Sequence, residues 1–464
     1  MKFKKVMAAL LAAAMVLGMT ACSPQPKNTA TEPGNGTQVS KESEGTSAEG
    51  EKPTGDGQFV YKEAKLTMSV DADETLTGLE AVCAKAEELL GIKVEIEIRP
   101  AGLEGESLIR TRLASGDMTD MIVSGGGTQL EMIDASTYYI SLNDTDIPDK
   151  IEDFVRNEMT ASDGNMYGVP IGTSMSACIL YNREMYEKYN LEVPKTWDAF
   201  LENCRILKEA GETAVIGTYA DNWTAQIPLL ADWYNVNLAE PDFVERFTAG
   251  EAKFATSEAA VKTWNKFGDL IEFYNEDYMA ATYDDGCAMI AEGEGAHWFM
   301  LTQALSNIYS LYDKETVDNI GAFAMPDEDP DKTGLIVMGS SGLFGNKNTG
   351  KTEDIMRFIE FYVSEAGLDA YCEAQLPDGP ALVKGYQPPE GAYKAVAEDM
   401  MVYFNEERTT PNMELVLPVK GSNCPAICVE AASGQVDGKT AAEKYDNDCY
   451  KMAIQIGLDW DKQK

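Results

Sequence analysis

Apolar and polar positions fall into two alternating kinds of block from Tyr61 onward. Lys65 to Asp71 (KLTMSVD) reads as a first strand. Leu76, Leu79, Val82, Cys83, Ala86, Leu89 and Leu90 then recur at helical spacing, and Gly91 closes that helix. The segment KVEIEI alternates strictly and points Val94, Ile96 and Ile98 to one face of a second strand. A helix around Leu108 to Ala114 leads to a short apolar strand, Met121 to Ser124. This rhythm predicts an α/β fold with a parallel sheet flanked by helices. After Tyr167 helices dominate: Thr196–Ala210 with Thr196 as N-cap, Trp223–Tyr234, Glu258–Tyr274 and Ala296–Leu305. Strands are predicted over Asn319 to Ala324 and Leu335 to Ser340, then helices over Asp354–Val363, Tyr393–Phe404 and Ala441–Ile456. Roughly 400 ordered residues exceed what one core usually serves, so two lobes are expected, with the chain crossing between them more than once.

The chain before Tyr61 has neither period. Met1, Lys2, Phe3, Lys4 and Lys5 form a cationic start, Val6 to Met19 an apolar run, and Thr20, Ala21 and Cys22 follow. This is the pattern of a secretory signal, and the run is shorter than the roughly 20 residues of a membrane span. MTAC, Met19 to Cys22, resembles the bacterial lipobox, with Met19 where leucine is usual. The resemblance implies that residues 1–21 are removed and Cys22 carries a lipid. Ser23 to about Gly57 is Ser, Thr, Pro, Gly, Glu, Asn and Lys with almost no large apolar residue, a composition that cannot bury a core. Residues 22–60 are therefore expected to be a lipid-anchored linker.

Composition removes several partners. With 38 Lys+Arg against 77 Asp+Glu the net charge is −39, which repels nucleic acid and anionic lipid surfaces. No apolar run after Cys22 reaches bilayer length. Cys83, Cys178, Cys204, Cys287, Cys372, Cys424, Cys428 and Cys449 match no zinc spacing, and His297 is the single histidine, so no metal site is expected. Several of these cysteines lie in apolar runs as small buried hydrophobes. Cys424 and Cys428 are near enough for either a disulfide or two thiols.

Several motifs occur in one order. They are LASGDMTDMIV (Leu113–Val123, with Thr119 in place of a usual proline), DGNMYGVPIG (Asp163–Gly172) and LYNREMYEKYNLEVPKTWDAFLENCRILKEAG (Leu180–Gly211). GCAMIAEG (Gly286–Gly293), NIGAFAMP (Asn319–Pro326), GSSGLFGNKNTGKTEDIMRFIEFYVS (Gly339–Ser364) and ASGQVDGKTAAEKYD (Ala432–Asp446) follow. Together they resemble the extracellular solute-binding proteins of ABC importers, the large group whose best-known members bind maltose and other oligosaccharides. The resemblance implies a bilobed periplasmic-binding-protein type II fold, two α/β lobes with a hinge and a ligand cleft between them. It implies lobe one at 61–172 and 326–382, lobe two at 173–325 and 383–464, and crossings near Gly172, Pro326 and Ala381. It further implies a carbohydrate ligand, ABC permease subunits as partners, a monomer and no cofactor.

Gly345 to Thr352 (GNKNTGKT) satisfies the phosphate-loop pattern between a strand and a helix. The export signal, and Glu353 and Asp354 immediately after, argue against nucleotide; the same stretch fits the solute-binding family's polar turn. For a sugar, aromatic platforms and hydrogen-bonding groups are needed where two lobes meet. Trp223 is the stacking candidate, and the resemblance brings in Trp298. Gly125 and Gly126, after a strand, either offer backbone amides to a ligand or only turn the chain. Asp71, Asp73 and Asp378 are candidate acceptors of sugar hydroxyls. Thr173 and Ser174 lie at the first expected hinge, and Ser340 and Ser341 on a cleft-edge strand. The rival reading is an anchored polysaccharide hydrolase, which needs two carboxylates at a set separation.

Overall fold

The computed structural model describes residues 59–460 apart from 73, 101, 340, 390–394 and 456. The expected signal, Cys22 and nearly all of the expected linker lie outside the described residues. So do Asp73 and Ser340.

Eleven strands are described: β1 (Ala64–Asp71), β2 (Ile92–Arg99), β3 (Met121–Ser124), β4 (Gly168–Pro170), β5 (Ala177–Asn182), β6 (Val215–Ile216), β7 (His297–Leu301), β8 (Ile320–Phe323), β9 (Leu335–Val337), β10 (Gly342–Gly345) and β11 (Thr409–Pro411). A five-stranded sheet has the order β2-β1-β3-β10-β4. In it β1 runs parallel to β2 and β3, with Ala64 opposite Ile92 and Asp71 opposite Arg99, and β10 is antiparallel to both its neighbours. A four-stranded sheet has the order β6-β7-β5-β8, and β9 pairs with β11.

The first lobe follows its pattern closely. The helix Thr77–Leu90 buries Leu79, Val82, Cys83, Ala86 and Leu90 on one face. Gly91 ends it at φ 75°, a left-handed position that suits glycine, and its N–H returns to Ala86 and Glu87 carbonyls. In β2 the apolar face formed by Val94 and Ile96 is only half-buried, and Ile98 is exposed. Arg99 at its end is buried.

The second lobe departs from the reading in two places. The expected helix Ala296–Leu305 is strand β7 followed by a helix, Ala304–Leu311. β7 lies between β5 and β6 with its first four residues buried, so both faces are apolar and no two-residue alternation shows. The expected helix Trp223–Tyr234 is a 3₁₀ turn (Asn222–Gln226), a short helix (Ile227–Ala231) and a third piece beginning at Trp233. Pro228 sits in the first turn of the middle piece, where its missing N–H is tolerated. Thr196 caps the helix Trp197–Glu209 as expected, accepting the Ala199 N–H at 3.2 Å.

Two apolar cores divide the described chain. One gathers Leu66 to Ile171 and Leu343 to Val383; the other gathers Ala177 to Val337 and Val396 to Ala453. Leu335, Ile336 and Val337 pack in the second core, so the chain returns to the first beyond Val337, later than the Pro326 expected from the resemblance. The crossing segments are tied to one another. Thr173 bridges Ala381 and Met175 bridges Met338, while the Ser174 backbone and hydroxyl both donate to the Pro380 carbonyl at 2.9 Å.

The start of the fold is fastened separately. Phe59 meets Phe361 edge-on, with ring centroids 5.4 Å apart. Arg357 donates to the carbonyls of Val60 (2.8 Å), Leu90 (3.1 Å) and Lys62 (3.4 Å).

Candidate ligand-binding cleft

A cavity of about 300 Å³ opens where the crossing segments meet. The first lobe contributes Asp71 and Glu74 from the end of β1, Ser341 just before β10, and Tyr371, Gln375 and Asp378. The second contributes Gln303, Ser306 and Asn307 from the start of the helix Ala304–Leu311, and Thr173 comes from the first crossing. Carboxylates, amides and hydroxyls thus converge from both sides, the inventory that pairs with hydroxyl-bearing ligands.

Their own hydrogen bonds hold them in place. The buried Arg99 guanidinium lies 3.0 Å from Asp71 Oδ2 and also donates to Ser69 Oγ at 3.2 Å. Ser341 Oγ donates to Glu74 Oε2 at 2.8 Å. Ser306 Oγ, from the second lobe, donates to Asp378 Oδ1 at 2.7 Å. The Asp378 N–H in turn donates to Thr173 Oγ1 at 3.1 Å. One side-chain bond therefore spans the two lobes at the cavity wall.

An aromatic series adjoins the cavity through Asn307, whose amide donates to the Tyr283 hydroxyl at 2.8 Å. Tyr283 lies between Trp223 (centroids 5.3 Å) and Trp298 (5.6 Å). Burial raises the Tyr283 phenol well above its ordinary value, so it stays protonated as a neutral hydrogen-bonding group. Trp223 is 36 % exposed and presents a face. Trp298 is 1 % exposed and supports Tyr283 from within the core, so it departs from the expected stacking position. β7 places it inward against Gly286, where a Cβ would come within 2.5 Å of the indole.

Of the residues expected from sequence, Asp71, Thr173, Ser341 and Asp378 line the cavity together. Ser174 is buried and occupied by Pro380, so it joins crossing segments instead of lining the cavity. Gly125 and Gly126 do not line it either. Gly126 lies against the Glu158 carbonyl, which a Cβ would approach to 2.2 Å, and the Gly127 amide donates to that same oxygen. Glu74, Gln303, Ser306, Asn307 and Gln375 were not anticipated. Reading 297–301 as a buried strand would have found three of them, because Gln303, Ser306 and Asn307 open the helix that leaves its end.

The remaining chemistry-bearing residues belong to the fold. His297 is buried; its Nδ1 donates to the Ala214 carbonyl and its Nε2 accepts from the Tyr186 hydroxyl, each at 2.7 Å. Burial lowers its pKa to about 4. The eight cysteines within the described residues are free, buried thiols, including Cys424 and Cys428, a helical turn apart. Lys351 in GNKNTGKT reaches Asp120 Oδ2 and the Lys65 carbonyl, both at 2.9 Å. Among the described residues no group of three His, Cys, Asp or Glu side chains could hold a metal ion.

Comparison with known proteins places these features in a family. Residues 72–368 match the family model for bacterial extracellular solute-binding proteins. An uncharacterised ABC transporter extracellular-binding protein of Pyrococcus horikoshii is 28% identical over 152 residues, 32% of this chain and 33% of that protein. The multiple sugar-binding protein of Streptococcus mutans is 20% identical over 287 residues, 60% of this chain and 66% of its own. The matches thus span from a third to just under two thirds of these relatives. The apo form of RafE from Streptococcus pneumoniae superposes with a TM-score of 0.68 at 17% identity, covering 84% of this chain and 98% of RafE. That likeness establishes the bilobed α/β fold.

Proposed function

Since the chain belongs to the bacterial extracellular solute-binding protein family, we propose that it is the sugar receptor of an ABC importer, held at the outer face of the cell membrane by a lipid on Cys22. It binds a carbohydrate, an oligosaccharide by preference, and delivers it as a monomer to permease subunits without changing it. The observation that carries this reading is the cavity wall itself. Ser306 of one lobe already bonds Asp378 of the other, among hydroxyls and amides supplied by both. A ligand that takes over such contacts stabilises the closed arrangement of the lobes, because only there does it touch both. Asp71, Thr173, Ser341 and Asp378 form the polar wall with Glu74, Gln303 and Asn307, and Trp223 supplies a stacking face beside them. Asp73 and Ser340, outside the described residues, stay part of this proposal only as sequence neighbours of Glu74 and Ser341. The multiple sugar-binding protein and a RafE structure with raffinose bound make saccharides the first class to test.

The test is a thermal-shift and calorimetric screen with raffinose and other neutral oligosaccharides. A bound sugar raises Tm by mass action and is recovered intact. A screen in which no saccharide shifts Tm overturns the sugar assignment, and release of smaller sugars replaces it with the hydrolase. Cys22→Ala should release the protein into the medium; a variant that stays with the membrane fraction overturns the tether alone.

A further inference from the structure

Glu158 ends the helix Asp153–Glu158 beneath the segment by which the chain returns to the first lobe. Its side chain is 8 % exposed, and its Oε1 accepts a long bond, 3.4 Å, from the Gly339 N–H. Gly339 sits so close that a Cβ there would lie 2.8 Å from Glu158 Oε2 and 2.6 Å from Val155 Cγ2. On its other side the Glu158 carbonyl accepts the Gly127 N–H at 2.6 Å. Met338, beside Gly339, exchanges backbone hydrogen bonds with Met175 of the first crossing, at 2.9 and 3.0 Å. Glu158 is therefore held at its main-chain carbonyl by the glycine loop after β3, while its carboxyl lies against Gly339, next to the place where two crossings are paired.

The surroundings offer that carboxyl little compensation. Met338, Gly339, Ser341 and the loop Gly125, Gly126 and Gly127 carry no charge. On its own helix Arg156 pairs with Asp153 at 3.1 Å, and Asp153 with Lys384 at 2.7 Å. Glu152, before that helix, is a further acid and not a counter-ion. Burial pushes the Glu158 carboxyl up to about 7, with the Gly339 N–H opposing, and no ionic neighbour enters.

We propose that Glu158 is a positioning residue of the hinge: as the neutral acid it lets Gly339 pack on the first lobe and draws the cleft together, and as the carboxylate it drives Gly339 toward water and opens the lobes. The proposal rests on binding by lobe closure, as stated above. The sign follows from linkage. An open state that hydrates Glu158 returns it toward the ordinary value of 4.5, so it binds fewer protons than the packed hinge. Rising pH therefore favours opening.

Small-angle scattering of the full protein without sugar tests this, between about pH 4.5 and about pH 8.5. The wild-type radius of gyration should rise as pH climbs from 4.5 toward about 7 and level off above it. Glu158→Gln should keep the low-pH value throughout, and Glu158→Asp should restore a pH response. Gly339→Ala, which pushes a methyl at Oε2, should be open at both ends of the range and checks the wedge independently if Glu158→Gln folds poorly. A wild type that does not change, a Glu158→Gln variant that titrates like wild type, or a Gly339→Ala variant that stays compact overturns the assignment. Because no sugar is present, these outcomes leave the sugar-receptor reading untouched, and failure of the saccharide screen leaves them untouched in turn.

Discussion

The cleft beside Asp378 and a hollow beside Asp446 have similar volumes, about 300 and 310 Å³. The second is the more aromatic, with Phe247, Tyr450 and Trp460 around Lys253, Lys439 and Asp446. By lining alone it is the better-looking sugar site. It differs in origin: its described walls all belong to the second lobe, whereas the cleft takes walls from both. A ligand in the hollow touches the same groups however the lobes stand, so it has no differential affinity to shift their equilibrium. Aromaticity therefore ranks below shared construction when a candidate binding site is chosen.

Filling each cavity should separate them most strongly. Ser341→Trp places an indole in the cleft and should weaken the saccharide found by screening more than about a hundredfold, a loss of roughly 3 kcal/mol. Thr256→Trp at the hollow should leave calorimetric affinity within about twofold. Equal losses in the two variants would erase the distinction. Removing one ring from each neighbourhood sharpens it. Trp223→Ala should cost about 1–3 kcal/mol of binding, the scale of one large apolar contact, with little change in urea unfolding. Trp460, which packs on Phe247 at 5.0 Å and donates to the Thr248 carbonyl, should do the reverse: Trp460→Ala loses about 1–2 kcal/mol of stability and no affinity.

The smallest effect is a pH slope. Burial raises the Asp446 carboxyl to about 6, although the Phe254 and Ala255 N–H groups each donate to it at 2.8 Å. Between its ordinary 3.8 and about 6 the folded state holds the extra proton. Its contribution to stability thus falls as pH rises through that window. Asp446→Asn should flatten this part of the unfolding profile and leave saccharide affinity at each pH unchanged. A change in affinity would connect the hollow to the cleft.

The two lobes were not equally legible. In the first, the half-buried β2 and the one-sided helix closed by Gly91 print their period on the sequence, and the fully buried β3 could be read only as a short apolar run. In the second, β7 is apolar on both faces and HWFML has no alternation to detect. That one misreading concealed Gln303, Ser306 and Asn307 and left Trp298 without a direction. Asp71, Thr173, Ser341 and Asp378 were accessible because they lie at strand ends and crossings, places that motif order can locate. Glu74 and Gln375 could not be found that way. Both are placed by first-lobe partners far away in sequence, Glu74 by the Ser341 hydroxyl and Gln375 by the Gly78 N–H, which no local pattern records. Pro326 fails as a boundary for a similar reason, since the side on which Leu335–Val337 packs is decided by β11 and the second core.

The fastening of the first strand has a mechanical consequence. Pulling on the chain before Phe59 draws β1 along its own length, parallel to β2, so the eight paired positions from Ala64 to Asp71 resist in shear together instead of parting one by one. Arg357 adds its three carbonyl bonds at the point where the tension enters. Under the proposed anchoring, drag would thereby be taken up where β1 begins in the first lobe, away from the crossings.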